Sequence, residues 1–323
     1  MHLSQHRVGI VMLGALAASC TSGTTSGNTA VTCQAVTAAP AHPPVGWAGT
    51  VFTIVMENHS RGDILGNPAA PFINSLASQN AVADGYHDSY VHPSEPNYLW
   101  MVAGQNFGVL DDNDPASHHL DSTSHLADQI EAAGLSWKTY QEGMGAPCGL
   151  VSHDRYAAKH DPFVYFNDIN GWDGQAFQPS TRCATHIVDL KQLDADIAAT
   201  SLPKYAFITP NLDHDMHDGT IEQGDAWLQE QVTKIVGTDA FNNGGVIFVL
   251  WDEGSNSADD PPFIAISPNA NRGFVSTSDY DTSSYLKTVQ TILGVQTLPC
   301  AEAGVSSTVA VMSDLFAMPM TTN

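Results

Sequence analysis

Val51-Phe52-Thr53-Ile54-Val55-Met56-Glu57-Asn58 is the stretch whose reading decides the fold. Its first six residues carry no charge and no turn former, and most are β-branched. A short run that is apolar on both sides of the pleat is a strand covered on both faces, as in parallel sheets flanked by helices. It follows a Gly/Pro-rich entry and stops at the polar pair Glu57-Asn58, which therefore sits at the strand's carboxyl end. Val246-Ile247-Phe248-Val249-Leu250-Trp251 repeats the arrangement after Gly245 and stops at Asp252-Glu253, while Tyr205 to Thr209 stops at Pro210-Asn211. Leu135 to Tyr140 and Phe263 to Ser267 read as further strands. Helical patterns at Pro71 to Gln79, Leu126 to Ala133, Gly224 to Val236 and Ser283 to Leu293 alternate with them. The alternation predicts an α/β fold with a mostly parallel central sheet and helices on both faces. Ligands of such sheets bind outside the carboxyl ends of the strands, so the polar strand ends are expected to converge on one site.

Outward from this core, the amino terminus reads as an export signal. His6 and Arg7 precede a short apolar run, Val8 to Ala18, too short to span a bilayer and ending in small residues. Leu16-Ala17-Ala18-Ser19-Cys20 resembles a bacterial lipobox, which implies a signal over residues 1–19, cleavage before Cys20 and acylation of that cysteine. The alternative is an ordinary signal peptide with a chance cysteine. Thr21 to about Thr37 has almost no large apolar residue, so residues 20–45 are expected to form a flexible tether. A single domain is expected over residues 46–317, acting as a monomer outside the cytoplasm.

The formal charge is -23, with only 11 Lys and Arg. That field repels nucleic acid and anionic lipid, so neither is an expected partner, and membrane contact is expected only through Cys20. If Cys20 carries lipid, Cys33, Cys148, Cys183 and Cys300 remain, an even set suited to an oxidising compartment. Cys148 and Cys183 flank one segment and are expected to pair; the Cys33–Cys300 pairing stays open.

The sharpest chemical signal is His92-Pro93-Ser94-Glu95-Pro96-Asn97-Tyr98-Leu99. Ser94 is expected at a helix N-cap, among free N–H groups that favour both an alkoxide and a phosphate. Serine is also a favoured cap in its own right, so capping alone would explain it. Glu57-Asn58 and Asp252-Glu253 supply hard oxygens that a divalent ion would hold together, although Asp252-Glu253 by itself is also an ordinary strand-end turn.

These residues, with Ala70 to Ala77, Tyr156 to Phe163, Asn211 to Gly219, Gln223 to Leu228 and Trp251 to Gly254, resemble the bacterial phosphoesterase family of acid phosphatases and phospholipases C. That family belongs to the alkaline phosphatase superfamily, and the likeness is greatest to its secreted acid phosphatase type acting on phosphatidylinositol 3-phosphate. The resemblance implies an alkaline-phosphatase-like α/β fold. It also implies metal ligands at Glu57, Asn58, Asp252 and Glu253, a nucleophile at Ser94, and active-site histidines at His160 and His217. His217 is the better candidate to protonate the leaving group. His92 and Asn97 are expected on the substrate side, His214 is a further candidate, and His118 and His119 are expected at the surface. Two-metal relatives carry an Asp where this chain has Asn211, and a His-Tyr pair where it has about Thr282-Ser283. One divalent ion, of unspecified identity, is therefore expected. The implied activity is phosphate monoester hydrolysis through a phosphoserine, with phosphoinositide headgroups among the candidate substrates. The alternatives are a phospholipase C-like phosphodiesterase and a non-catalytic phospho-ligand-binding lipoprotein.

Overall fold

The structure is a computed structural model that describes residues 39–256, 260–296, 298 and 309–320. The expected signal, Cys20, Cys33 and Cys300 lie outside the described residues. Eight strands form one sheet: β1 (Val51–Met56), β2 (Ala81–Ala83), β3 (Trp137–Gln141), β4 (Ile187–Asp189), β5 (Tyr205–Thr209), β6 (Val246–Trp251), β7 (Phe263–Ile266) and β8 (Val275–Ser276). Their order is β4-β3-β5-β1-β6-β7-β2-β8. The strands from β4 through β6 are parallel, β7 is antiparallel to both of its neighbours, and β2 and β8 are parallel. The expected α/β architecture is present.

β1 lies at the centre, with Val51 opposite both Tyr205 and Val246. Every residue of β1 and β6 is buried, and the pleat divides them between two cores. Val51 and Val55 face one core with Phe207, Phe248 and Leu250, where the helices Ser94–Ala103 and Thr282–Leu293 contribute Tyr98, Leu99, Leu286 and Val289. Phe52, Ile54 and Met56 face the other with Ile208, Ile247 and Val249, covered by the helices Pro71–Gln79 and Ile221–Val236 through Ile73, Leu76, Trp227 and Leu228. Each such side chain contributes roughly 1.5–3 kcal/mol on burial. Thr53, the polar residue of β1, shares a 2.6 Å hydrogen bond with the hydroxyl of Tyr285, so no polar group there is left unpaired.

Two residues of the Gln223-Gly224-Asp225 segment join the helices on the second face. Asp225 accepts the free N–H groups of Phe72 and Ile73 at 3.1 and 2.8 Å, capping the helix Pro71–Gln79. Gly224 admits Met216, whose methyl carbon would lie 2.4 Å from any Cβ placed there. At the margins, His42 N–H donates to Gly294 O at 2.8 Å, and Met320 belongs to the first core. Cys148 and Cys183 form the expected disulfide, with Cα atoms 5.2 Å apart, around the segment that carries His160.

Candidate active site

The parallel strands deliver their polar ends to one place. Glu57 and Asn58 follow β1, Asp252 and Glu253 follow β6, and the loop after β5 carries Asp215 and His217. Backbone bonds lock the ends together: Glu57 N–H donates to Asp215 O at 2.9 Å, Asp252 N–H to Met56 O at 3.1 Å, and Asn58 N–H to Asp252 Oδ1 at 3.1 Å. Asn58 accomplishes this with a left-handed backbone, φ 42°, which asparagine tolerates better than most residues.

Ser94 occupies the first turn of its helix rather than the expected cap position, which falls to Pro93. Its hydroxyl caps no backbone N–H and instead donates to Glu57 Oε2 at 3.0 Å. The other oxygen of Glu57 accepts from Tyr98 OH at 2.5 Å, and Tyr98 reaches it from one turn further along the same helix. Asp252 also lies near the Ser94 hydroxyl.

The carboxylates resist ionisation where they stand. Burial raises Glu57 well above the usual carboxylate range, and the charges of Asp252 and Asp215 add to it. Burial pushes Asp252 and Asp215 up to about 7 and Glu253 up to about 9. Lys159 opposes these shifts and is itself ion-paired with Asp112 at 2.7 Å. The side-chain oxygens Asn58 Oδ1 and Asp252 Oδ2 are buried without a hydrogen-bond partner. Crowded carboxylates around orphaned hard oxygens fit a divalent cation. Glu253, however, turns Oε2 toward His92 Nδ1 at 2.5 Å and Asn97 Nδ2 at 3.0 Å. The expected ligand carboxylates are thus not gathered as tightly as two other groups, each with ligand atoms within 4.8 Å of one another. Those are His125, Asp128 and Asp168, already bridged by the Arg182 guanidinium, and Glu95, Asp111 and His118.

The histidines separate by depth. His160 is buried and stacks on Tyr98, with Nε2 3.3 Å from Glu57 Oε1 and Nδ1 3.4 Å from Asp215 Oδ2, both off-line for hydrogen bonds. Burial, then Lys159 and His217, keep it below its ordinary pKa and neutral. His217 is half-buried, its ring 6.4 Å from that of His160, with Nδ1 2.8 Å from Asp218 Oδ1. His92 is half-buried beside Glu253 and Asp88. His214 is held by Glu142 at 2.9 Å, off this cluster.

Other residues singled out in the sequence lie below the surface. Asn97 lies about one turn along the helix from Ser94 and is as buried as Ser94 itself. It is fully buried, with Nδ2 shared between Val91 O and Glu253 and Oδ1 accepting from Ser89, so it buttresses Glu253. His118 and His119 are half-buried rather than on the surface, the latter stacked on Trp172 at 3.7 Å. Asn211 accepts the N–H groups of Asp213 and His214 on Oδ1, which closes a turn. Thr282 and Ser283 are fully buried, and Ser283 accepts from Trp100 at 2.8 Å. Sequence reasoning missed Tyr98, Asp215, Lys159 and Asp112. All but Asp112 lie inside the segments that carried the resemblance, beside the residues that were chosen.

The chain is similar to known proteins in sequence and in fold. The model of the phosphoesterase family matches residues 47–259. A phosphatidylinositol-3-phosphatase of Mycobacterium tuberculosis is 35% identical over 210 residues, covering 64% of each chain. A probable acid phosphatase of Kluyveromyces lactis is 28% identical over 252 residues, covering 74% of this chain and 56% of the relative. The chain thus spans less than two thirds of either relative's length. A protein in the alkaline phosphatase superfamily from Vibrio parahaemolyticus superposes with a TM-score of 0.53 at 10% identity, covering 81% of this chain and 70% of that one, which shows the shared fold.

Proposed function

The chain belongs to the phosphoesterase family, and from that premise we propose that it is an exported, metal-dependent phosphatase that hydrolyses phosphate monoesters through a phosphoserine at Ser94. One observation carries the reading. The Ser94 hydroxyl stands at a helix N-terminus yet is withdrawn from capping and aimed at Glu57 Oε2, 3.0 Å away. Glu57, Asn58, Asp252 and Glu253 would hold one divalent ion, which supplies a Lewis acid that lowers the Ser94 pKa and neutralises phosphoryl oxygens.

Ser94 Oγ releases its proton to solvent and attacks phosphorus, an O–P bond forms, and the bond to the leaving oxygen breaks. His217, oriented by Asp218 at Nδ1, gives its Nε2 hydrogen to the leaving oxygen. Water then attacks the phosphoserine and frees phosphate, with Ser94 recovering its hydrogen. Lys159 and the positive end of the Ser94 helix favour the anionic substrate in an otherwise acidic chain, although the Glu95 N–H is already bonded to Asp112 and Pro96 has none. His160 acts as a positioning residue beneath Glu57.

The relatives' names support phosphoinositide and other phosphate esters as the substrate class. The Cys148–Cys183 disulfide supports an oxidising, extracytoplasmic location, consistent with a signal over residues 1–19, an anchor at Cys20 and a tether leading to a single domain over residues 46–317. Among the described residues, no helix is long and apolar enough to cross a membrane. Hydrolysis of a simple aryl phosphate, abolished by a chelator and restored by a divalent ion, is the expected result. Full activity after exhaustive chelation would overturn metal dependence.

A further inference from the structure

We propose a second cation site, separate from the Ser94 centre, formed by Glu95, Asp111 and His118. The Glu95 carboxylate is fully buried and neither oxygen has a hydrogen-bond partner. The nearby hydroxyl of Tyr165 sends its hydrogen elsewhere, to Asn113 O at 2.9 Å. A carboxylate in that state is unfavourable unless a cation or a proton compensates it. One ligand atom from each of Glu95, Asp111 and His118 lies within 4.8 Å of the others, so the unpartnered oxygens of Glu95 point into a ready-made set. Asp111 is exposed, which leaves the set open to solvent and gives an ion a way in.

The donors define the ligand class. An imidazole with two carboxylates suits a divalent transition metal of the zinc or manganese kind, whereas calcium sites are built from oxygen alone. At present His118 Nε2 lies 2.7 Å from Asp111 Oδ1. On loading, both atoms turn to the ion, the imidazole taking the tautomer that carries its hydrogen on Nδ1. Asp112 is not a ligand, since it already accepts from Glu95 N–H at 3.0 Å and from Lys159 at 2.7 Å. An ion here ties the 111–118 segment to the first turn of the Ser94 helix and, through Asp112, steadies Lys159.

Zinc titration of the metal-stripped full chain, followed by calorimetry, tests the site. Wild type is expected to bind two equivalents and Asp252→Asn one. His118→Ala and Glu95→Gln are expected to lose the other equivalent, or to bind it at least 10-fold more weakly. His118→Ala changes a half-buried side chain, so it reads the site even if Glu95→Gln fails to fold. One equivalent in both wild type and Asp252→Asn, lost in His118→Ala, would support this site while removing the proposed one at Ser94. Unchanged stoichiometry and affinity in His118→Ala would overturn the proposal, with Glu95 then compensated by a proton.

Discussion

Tyr98→Phe isolates the support beneath Glu57. Tyr98 is fully buried, donates to Glu57 Oε1 at 2.5 Å, stacks on His160 at a centroid distance of 5.0 Å and meets Phe207 edge-on. Phenylalanine keeps the ring and both aromatic contacts, so the substitution removes only the hydroxyl. A hydrogen bond to an ionised group is worth about 1.5–3 kcal/mol. Glu57 is already pushed toward its protonated form by burial and by Asp252 and Asp215, and losing this donor pushes it further. A metal ligand must be deprotonated, so the loss should appear mainly in metal affinity, as a weakening of about 10–100-fold. Competition against a fluorescent chelator at pH 7 measures it, and urea denaturation of the metal-free proteins separates it from folding stability. Equal affinity in wild type and Tyr98→Phe, at equal folded fraction, would refute the placing of Glu57 in the metal shell.

Asp161 is fully buried and pushed up to about 7 by burial, against the pull of Thr139 and the Phe163 N–H. The folded state therefore holds this proton where the unfolded chain has lost it. Stability should fall as pH rises from about 4 to about 7, by at most about 4 kcal/mol. Asp161→Asn should flatten that window and exceed wild type in urea resistance at pH 8; an equal loss at pH 5 and pH 8 would contradict this. The Cys148–Cys183 bridge closes a separation of 35 residues, so the double serine variant should lose about 3–4 kcal/mol, and unchanged denaturation would contradict it. His217→Ala should slow alkyl phosphates by about 10²-fold or more and nitrophenyl phosphate far less, whereas equal losses would remove His217 as the acid.

How much was legible depends on where each residue's constraint came from. β1, β5 and β6 were plain because a strand covered on both faces writes its burial as a continuous apolar run. β2, β4 and β8 have two or three residues each and owe their existence to distant pairing partners, so nothing local announced them. The polar strand ends were visible as composition, and their convergence followed from parallel topology. Tyr98 read as a core residue because its ring is one; the hydroxyl's destination on Glu57 needed three dimensions. The bond from Asn97 to Glu253 needed three dimensions for the same reason, since a polar residue in a site segment looks the same whether it faces substrate or backs a ligand. Ser94 was assigned to the cap one position too late, and only its bond to Glu57 separates the two roles.

The claim that Ser94 is a covalent nucleophile is tested most directly by acid quench of the wild-type protein during turnover of a labelled aryl phosphate, followed by peptide mapping. The account predicts acid-stable label on the peptide containing Ser94, and a Ser94→Ala protein that stays folded, keeps most of its metal and loses turnover by orders of magnitude. Normal turnover in Ser94→Ala, with no labelled peptide in the wild type, would contradict it and leave water as the attacking group.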